Sequence, residues 1–258
     1  MFSSREKISI LGVAIDSIEF SEFQSKVKEC LEKGRPCFIV TPNPEFLVAA
    51  HRHASFKKLL NSADIAIPDG FGLLVAARWK GTPLQRRITG VHAMHTIMRL
   101  AAQQNKRIFL LGGGYNVAET AARVMQKKIP GLAIHGESGG VIEKKEDSWY
   151  YENANIIDAI HHFRPDVVFV GLGHEKQEQW IHDHRSQFPH VTIWMGVGGS
   201  FDYIAGNILR APRIMRALGF EWLWRFIRQP WRIRRIFDAT FYFLYLVFKE
   251  RKVATHHQ

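Results

Sequence analysis

The stretch DVVFVGLGHEKQEQW, residues 166–180, contains a strand, a glycine turn and the start of a helix in direct succession. After its first residue, the run Asp166–Val170 is hydrophobic without alternation, which is typical of a strand buried on both faces of a parallel sheet. Gly171 and Gly173 follow, and a helical pattern covers Lys176–Gln187. A strand followed directly by a helix is the repeating unit of parallel α/β folds.

The same alternation extends on both sides of this unit, as far as about Ile204. Short apolar runs and helical patterns follow one another, which predicts an α/β fold with a parallel sheet flanked by helices. The other predicted strands are Ile8–Ile15, Cys37–Thr41, Ile65–Pro68, Ile108–Leu111 and Val191–Met195. The other predicted helices are Phe71–Trp79, Ala118–Lys128 and Ser148–His162.

The composition is typical of a folded protein with a substantial core. Hydrophobic residues make up 46% of the 258 residues, so wholesale disorder is not expected. Cys30 and Cys37 are too few for a disulfide framework or a metal cage. The N-terminal residues contain no apolar stretch of signal-peptide length, so a reducing cytoplasm is the expected compartment.

Positive charge is concentrated near the C-terminus. The formal net charge is +11, and residues 205–252 hold eleven Lys and Arg against three acidic residues. This local excess predicts an anionic partner. The domain prediction is therefore a catalytic domain over residues 1–204 and a basic, aromatic region over residues 205–258.

The nature of that anionic partner stays open on charge and aromatic content alone. Interleaved aromatic and basic residues suit a membrane surface, a nucleic acid, or a helical hairpin packed on the sheet with solvated arginines. The apolar run Ala239–Phe248 is ten residues long. A membrane-spanning helix needs about 20 residues, so a helix that lies in the membrane interface fits this run better.

Polar residues directly follow two of the predicted strands. Thr41 and Asn43 follow the strand that begins at Cys37, in a loop that two prolines make rigid. Both suit hydrogen bonds to a sugar or phosphate, and Asn43 equally suits the N-cap of a helix. Asp69 follows the strand Ile65–Pro68, where a carboxylate suits either a general base in a partly dehydrated crevice or a helix cap.

Two further segments are predicted to bind substrate. Gly112, Gly113 and Gly114 follow a predicted strand and open a helix, which suits a diphosphate cradle and a tight structural turn equally. They lack the full spacing of a dinucleotide fingerprint. Lys176 and Gln177 start a predicted helix, where they suit contacts to phosphate or base, or an ordinary solvated first turn.

The sequence shows no pattern typical of a metal site or of an esterase. The histidine pairs His161–His162 and His182–His184 have no third ligand at metal-like spacing. No Asp-x-Asp motif and no Gly-x-Ser-x-Gly elbow occurs. On the residues alone, a nucleotide-dependent oxidoreductase of Rossmann type and a non-enzymatic membrane-associated scaffold stay open as alternatives.

Taken in order, these segments resemble the WecG/TagA/CpsF family of bacterial glycosyltransferases. The resemblance covers nearly the whole chain, and its last block is long and distinctive. The matching blocks are TPNPEF at 41–46, PDG at 68–70, RITG at 87–90, FLLGGG at 109–114, GLGHEKQEQW at 171–180 and GVGGSFDYIAGNILRAPRIMRALGFEWLWRFIRQPWRIRR at 196–235.

The resemblance implies a Rossmann-like domain with a helical, basic C-terminal appendage that binds the membrane and helps to complete the active site. It implies an inverting transfer of an N-acetylmannosamine-, uronic acid- or glucose-type hexosyl group in surface or exopolysaccharide biosynthesis. The implied donor is a UDP-sugar, and the implied acceptor is a saccharide on undecaprenyl diphosphate. No metal or other cofactor and no nucleic acid is expected.

The resemblance also implies a location and a role for individual residues. The protein would be peripheral at the cytoplasmic face of the bacterial inner membrane; a homo-oligomer stays open. Asp69 corresponds to the family's proposed catalytic base, and we place Thr41 with it as a catalytic residue. Residues proposed to line the donor site correspond to Thr41, Asn43, Arg87 and Gln177. Appendage arginines that would meet the lipid diphosphate correspond to Arg210, Arg213, Arg225 and Arg228.

Two positions depart from the family pattern. His92 stands where RxxGxD has an acid, and Glu175 stands where GLGxPKQE has a proline. The resemblance implies that this acid touches the substrate, so His92 predicts a different donor or acceptor preference. Neither departure affects Asp69.

Overall fold

The computed structural model describes residues 7–85, 87–145, 148–152, 154–209, 211–212, 214–215, 221–228 and 233–255. Within these residues, six strands form one sheet in which every neighbouring pair is parallel. The strands are β3 (Cys37–Val40), β4 (Ile65–Ala66), β5 (Arg107–Gly112), β6 (Ala133–Glu137), β9 (Val167–Gly171) and β10 (Ile193–Gly196), in the spatial order β4-β3-β10-β9-β5-β6. The predicted α/β fold with a parallel sheet is confirmed.

The first predicted strand, Ile8–Ile15, is wrong as a single element. The chain forms an antiparallel hairpin of β1 (Lys7–Ile10) and β2 (Val13–Asp16). Leu11 and Gly12 make the turn with φ values of 51° and 78°, and a two-residue turn with both φ angles positive matches the twist of a hairpin. Asn61 fixes this hairpin, because its side chain accepts from Ala14 N at 2.9 Å and donates to the Gly12 carbonyl at 2.9 Å.

The predicted helix Ser148–His162 is wrong over its first residues. A second hairpin pairs β7 (Val141–Lys145) with β8 (Ser148–Glu152), and α7 begins only at Ala154 and ends at Phe163. The sequence of β8, SWYYE, contains three aromatic residues, and aromatic residues favour strands. The edge strand β6 was not predicted, because its AIHGE sequence is short and largely polar.

Helices cover both faces of the sheet and create two cores. One face is covered by α1 (Phe20–Lys33), α5 (Gly90–Gln103), α6 (Val117–Lys128) and α9 (Ser200–Ala205), which bury residues such as Phe23, Met94, Ala121 and Phe201. The other face is covered by the β1–β2 hairpin, α2 (Pro44–Arg52), α3 (Ala54–Asn61), α4 (Phe71–Trp79), α7 and α8 (Lys176–His184). Because both faces are covered, the strands are continuously apolar.

From residue 221 on, the described residues of the C-terminal segment are helical. It consists of α10 (Glu221–Arg228), α11 (Ile233–Phe237), a π-helical turn (Asp238–Tyr242) and α12 (Phe243–Thr255). In the part of the chain that the structure describes, no helix is both long enough and apolar enough to cross a membrane. The boundary after residue 204 stays a prediction.

The last helix packs into the second core. Phe243, Leu246 and Val247 are buried there together with residues of α2, α4 and the β1–β2 hairpin. Glu250 adds an ion pair with Lys80 at 2.9 Å and accepts from Leu11 N at 3.3 Å. Helix α12 is therefore held to the sheet layer through apolar burial as well as charge.

This packing predicts that truncating Phe243 destabilises the whole protein. Phe243→Ala should lower the free energy of unfolding by about 3–5 kcal/mol, the usual cost of removing a buried phenylalanine ring. Phe241→Ala is the matched control, because Phe241 is 64% exposed two residues earlier. Urea denaturation followed by tryptophan fluorescence measures both; equal effects would show that α12 does not share the core.

Candidate active site

Five loops lie side by side at one edge of the sheet. Strands β4, β3, β10, β9 and β5 are consecutive and parallel, so the segments after their carboxyl ends emerge on the same side. In open parallel sheets, ligands bind at this edge. The strand-end residues predicted from the sequence all belong to these five segments.

Asp69 joins the loop after β4 to the start of α5. Its backbone N–H donates to the Pro42 carbonyl at 2.8 Å, and its Oδ2 accepts from Gly90 N at 3.0 Å. Gly90 is the first residue of α5, where the helix dipole favours a negative charge. The alternative that Asp69 caps the following helix is not seen: Gly70 is the N-cap of α4, and no side chain caps it.

Thr41 lies next to Asp69 at Gly90. A methyl group at Gly90 would lie 3.5 Å from Asp69 Oδ2 and 3.6 Å from Thr41 Oγ1. The hydroxyl and the carboxylate therefore flank the same point, and Gly90 places no side chain there. Thr41 is buried and Asp69 is half-buried, so the carboxylate is the more accessible of the two.

Asn43 caps a helix in the same loop. Its Oδ1 accepts from Phe46 N at 3.0 Å, which satisfies one of the first backbone donors of α2. The capping interpretation is therefore confirmed for the oxygen of this amide, and a contact to the donor stays a prediction.

Arg87 is held beside the Asp69 loop by the backbone. The next residue, Ile88, donates its N–H to the Pro68 carbonyl at 3.0 Å. Arg87 is half-buried. The sequence thus brings Thr41, Asp69 and Arg87 together from three separate motifs.

The departure at His92 has a local structural explanation. The exposed His92 ring stacks on Phe20, with ring centroids 4.3 Å apart and planes 16° from parallel. Its backbone N–H donates to Thr89 Oγ1 at 3.3 Å, which caps α5. The imidazole therefore has an aromatic partner on α1 that an acidic side chain would not use in this way.

The glycine turn after β5 packs tightly against the loop after β9. Gly112 has a φ of 112°, and a Cβ on it would lie 2.8 Å from the Gly171 carbonyl carbon. Gly113 donates its N–H to the Gly171 oxygen at 2.9 Å. The structure supports the tight-turn interpretation at these two positions, and Gly114 is exposed at the surface. A role of all three in phosphate binding stays a prediction.

Gln177 is buried and bonded at both ends of its side-chain amide. Its Oε1 accepts from Gly198 N at 2.8 Å, and its Nε2 donates to Glu178 Oε1 at 2.6 Å. Only 1% of Gln177 is exposed. Gln177 lies in the first turn of α8 and is enclosed, whereas Lys176 before it is half-buried. A contact of either residue with the donor stays a prediction.

Glu178 was not predicted from the sequence, and its carboxyl group is buried next to Gln177. Burial raises the pKa of Glu178 to about 8, because water does not reach the charged form. The hydrogen bond from Gln177 lowers this pKa, and the charge of Glu175 raises it. Glu175 has a positive φ of 66°, and its Oε2 lies 3.0 Å from His53 Nδ1.

We expect Glu178 to make the protein less stable as pH rises from 4.5 to about 8. In this window the unfolded chain releases the proton while the folded protein holds it; below it both states are protonated, and above it both are ionised. Glu178→Gln does not titrate, so the unfolding free energy of the variant relative to wild type should grow with pH. Each unit of pKa difference contributes about 1.4 kcal/mol.

Urea denaturation of wild type and Glu178→Gln at about pH 5 and about pH 8 measures this difference, since the two values lie near the two ends of the window. Asp183→Gln is the control, because Asp183 lies on the surface of the same helix, bonded to Gln179. A Glu178→Gln effect of equal size at both pH values would contradict the expectation.

Arg235 connects the C-terminal segment to this edge of the sheet. It forms an ion pair with Glu45 and donates from Nη2 to His174 Nδ1 at 3.2 Å. Glu45 follows Asn43 and Pro44, and His174 lies in the loop after β9. No pattern in the sequence singles out this arginine among the many in the tail.

The predicted appendage arginines are only partly covered by the structure. Arg210 and Arg213 lie outside the described residues, and Arg225 and Arg228 are known only as backbone positions of α10. Among the described side chains, no three His, Cys, Asp or Glu residues form a group that could hold a metal ion.

Comparison with known proteins gives a consistent result. A family model described as the Glycosyl transferase WecG/TagA/CpsF family matches residues 8–257. Two similar proteins are both named N-acetylglucosaminyldiphosphoundecaprenol N-acetyl-beta-D-mannosaminyltransferase. The one from Staphylococcus aureus (strain MW2) is 32% identical, over 97% of this chain and 96% of its own length. The one from Bacillus spizizenii is 35% identical, over 94% of this chain and 91% of its own length.

Proposed function

The chain belongs to the WecG/TagA/CpsF family of glycosyltransferases, and we propose that it transfers a hexosyl group from a UDP-sugar to a saccharide carried on undecaprenyl diphosphate. The names of its relatives favour N-acetylmannosamine as the sugar and N-acetylglucosaminyl diphosphoundecaprenol as the acceptor. The observation that carries the proposal is the meeting of Asp69, Thr41 and the start of α5 at the carboxyl edge of the sheet.

In the proposed reaction, Asp69 is the general base. Its carboxylate takes the proton from an acceptor hydroxyl, the hydroxyl oxygen attacks the anomeric carbon, and the bond to UDP breaks with inversion. The Gly90 N–H holds Oδ2 at 3.0 Å, so the carboxylate is oriented before substrate binds. Thr41 Oγ1 lies beside it, where a hydroxyl can orient the acceptor or donor.

The negative charge that develops on departing UDP needs positive partners. Arg87 lies beside the Asp69 loop, and Lys176 lies at the start of α8, where the helix dipole adds to its charge. Guanidinium and ammonium groups form charge-assisted hydrogen bonds to phosphate oxygens. By the family resemblance, we propose that these side chains and backbone amides neutralise the diphosphate without a metal or another cofactor.

Family membership replaces the two alternatives that the sequence left open. A scaffold without activity is not needed to explain the chain. The oxidoreductase interpretation depended on the glycine turn, and Gly113 there bonds its N–H to Gly171 rather than offering it to a dinucleotide.

We also propose that the C-terminal helices place the protein at a membrane surface, as a peripheral protein of the cytoplasmic face of the inner membrane. Phe237, Phe241, Tyr245 and Phe248 are all more than half exposed. Their spacing of four, four and three residues puts them on one side, opposite the buried Phe243, Leu246 and Val247. Aromatic side chains beside arginines are typical of helices in the interface.

The transfer is tested by incubating the protein with UDP-N-acetylmannosamine and lipid-linked N-acetylglucosamine and measuring UDP release and product linkage. The other donors to compare are UDP-glucose, UDP-glucuronate and the UDP-linked uronate of N-acetylmannosamine. The proposal predicts acceptor-dependent UDP release and a new glycosidic bond of inverted configuration. Release of UDP from none of these donors would overturn it.

Asp69→Asn should lower kcat by about a hundredfold or more, because an amide cannot accept the hydroxyl proton. UDP affinity measured by calorimetry should change little. Asp64→Asn is the matched control, since Asp64 lies at the other end of β4 and its Oδ2 also accepts a backbone N–H, from Phe38 at 2.8 Å. Near-normal turnover of Asp69→Asn would exclude Asp69 as the base.

Phe241→Asp should weaken binding to vesicles of anionic phospholipid by about tenfold or more, because it removes apolar contact area and adds a repelled charge. Sedimentation with vesicles measures the partition coefficient. Tyr115→Asp is the control, because Tyr115 is an exposed aromatic residue outside the C-terminal helices. Equal binding of wild type and Phe241→Asp would contradict the proposed membrane face.

A further inference from the structure

We propose that Glu178 is a positioning residue that acts through Gln177 to fix the loop Val197–Gly199 at the edge of the candidate site. The inference rests on the proposed function for its effect on turnover, and on the hydrogen bonds alone for its effect on the loop. It also changes the role of Gln177, which would shape the donor site through this loop rather than by touching the donor.

The hydrogen bonds form a chain with a defined direction. Gly198 N–H can only donate, so the atom of Gln177 at 2.8 Å from it is the amide oxygen. The NH₂ group of Gln177 must then point to Glu178, whose Oε1 accepts at 2.6 Å. Because both side chains are 1% exposed, water does not compete for these bonds. The acceptor on Glu178 thus decides which way the Gln177 amide faces.

The end of β10 is shaped around this pair. A methyl group at Gly196 would lie 2.5 Å from Glu178 Oε1 and 2.6 Å from Gln177 Nε2. Both distances are too short for real contacts, so a side chain at position 196 would displace the pair. The strand, the pair and the loop after the strand are therefore fitted to one another.

The burial of Glu178 has a cost for the stability of the fold. Its Oε2 is buried, and among the described residues this atom has no hydrogen-bond partner. No Lys or Arg within the described part of the chain forms an ion pair with it. A buried carboxyl oxygen without a partner costs free energy. A cost of this kind at a ligand-binding edge is consistent with a role in function.

The loop that the pair holds lies in the middle of the candidate site. Strand β10 lies between β3, which ends at Val40 just before Thr41, and β9, which ends at Gly171. Val197 donates its N–H to the Val170 carbonyl at 2.9 Å, and Gly198 has a φ of 51°. Without the Gln177 oxygen, Gly198 N–H would lose its partner, and the loop would lose one of its two bonds to neighbouring segments described here.

Two substitutions of Glu178 distinguish a relay, in which Glu178 only accepts the hydrogen bond from Gln177, from a requirement for the carboxyl group itself. Glu178→Gln keeps an oxygen that can accept from Gln177, whereas Glu178→Met keeps the volume and removes the acceptor. Glu178→Met should therefore speed amide hydrogen exchange at residues 197–199 by about tenfold or more, and Glu178→Gln should leave it within about threefold of wild type. Exchange followed by mass spectrometry of peptides across this loop measures both.

The same variants should separate in the steady-state kinetics of UDP release. Glu178→Met should lower kcat/KM for the UDP-sugar by about ten- to hundredfold, mainly through a higher donor KM, because a displaced loop weakens donor binding. Glu178→Gln should restore the donor KM to within about threefold of wild type. A merely structural role would not give this restoration together with the KM effect.

Gly196→Ala reaches the pair from the other side and should reproduce the exchange pattern of Glu178→Met. Gln179→Met is the matched control, because Gln179 follows on the same helix and its side chain donates to Asp183 at the surface. It should leave both exchange and kinetics unchanged. Circular dichroism confirms that each variant is folded; if Glu178→Met does not fold, Gly196→Ala and Glu178→Gln still decide.

Two results would overturn the relay: unchanged exchange at residues 197–199 in folded Glu178→Met, or equal impairment of Glu178→Gln and Glu178→Met. The second would mean that the carboxyl itself is needed. Failure of the proposed function is distinguishable, because wild type would then release no UDP from any donor. The exchange rates at residues 197–199 would still test the role of Glu178 independently of that result.

Discussion

The six strands of the central sheet run in one direction, and this constraint determines where chemistry can occur. Parallel hydrogen bonding aligns the carboxyl ends of β4, β3, β10, β9 and β5 at one edge. Helices cover both faces, so the faces are apolar and closed. The edge is the place where backbone and polar side chains meet solvent. Asp69 then links two elements there, because its carboxylate holds the first amide of α5.

Much of this architecture could be predicted from the sequence, since strands that are buried on both faces have continuously apolar sequences. The β1–β2 hairpin was missed because ISILGVAI is apolar except for Ser9 and Gly12, and the turn with positive φ at Leu11 and Gly12 divides it. The edge strand β6 and the strand β8 were missed because their partners, not their apolar content, make them strands. Local patterns cannot report such pairing.

The candidate site was predictable in its residues but not in its contacts. Thr41, Asn43 and Asp69 could be found because each follows a strand. That Asp69 bonds Gly90, 21 residues along the chain, depends on how α5 packs. Gln177 was interpreted as a donor contact or an ordinary first-turn residue, and the sequence did not indicate that its amide is enclosed between Gly198 and Glu178. Its contact with the donor stays a prediction. The sequence indicates which residues are polar, whereas the fold determines which groups they bond to.

The apolar run of the C-terminal helix faces two different environments. Its periodicity therefore did not indicate which side is buried. One side, with Phe243 and Val247, belongs to the core, and the other side exposes aromatic rings. The same segment reaches the site, because Arg235 contacts both Glu45 and His174. A force that moves the exposed face therefore acts on the loops after β3 and β9 as well. If the exposed face binds a membrane as proposed, attachment and the geometry of the site are coupled through Arg235.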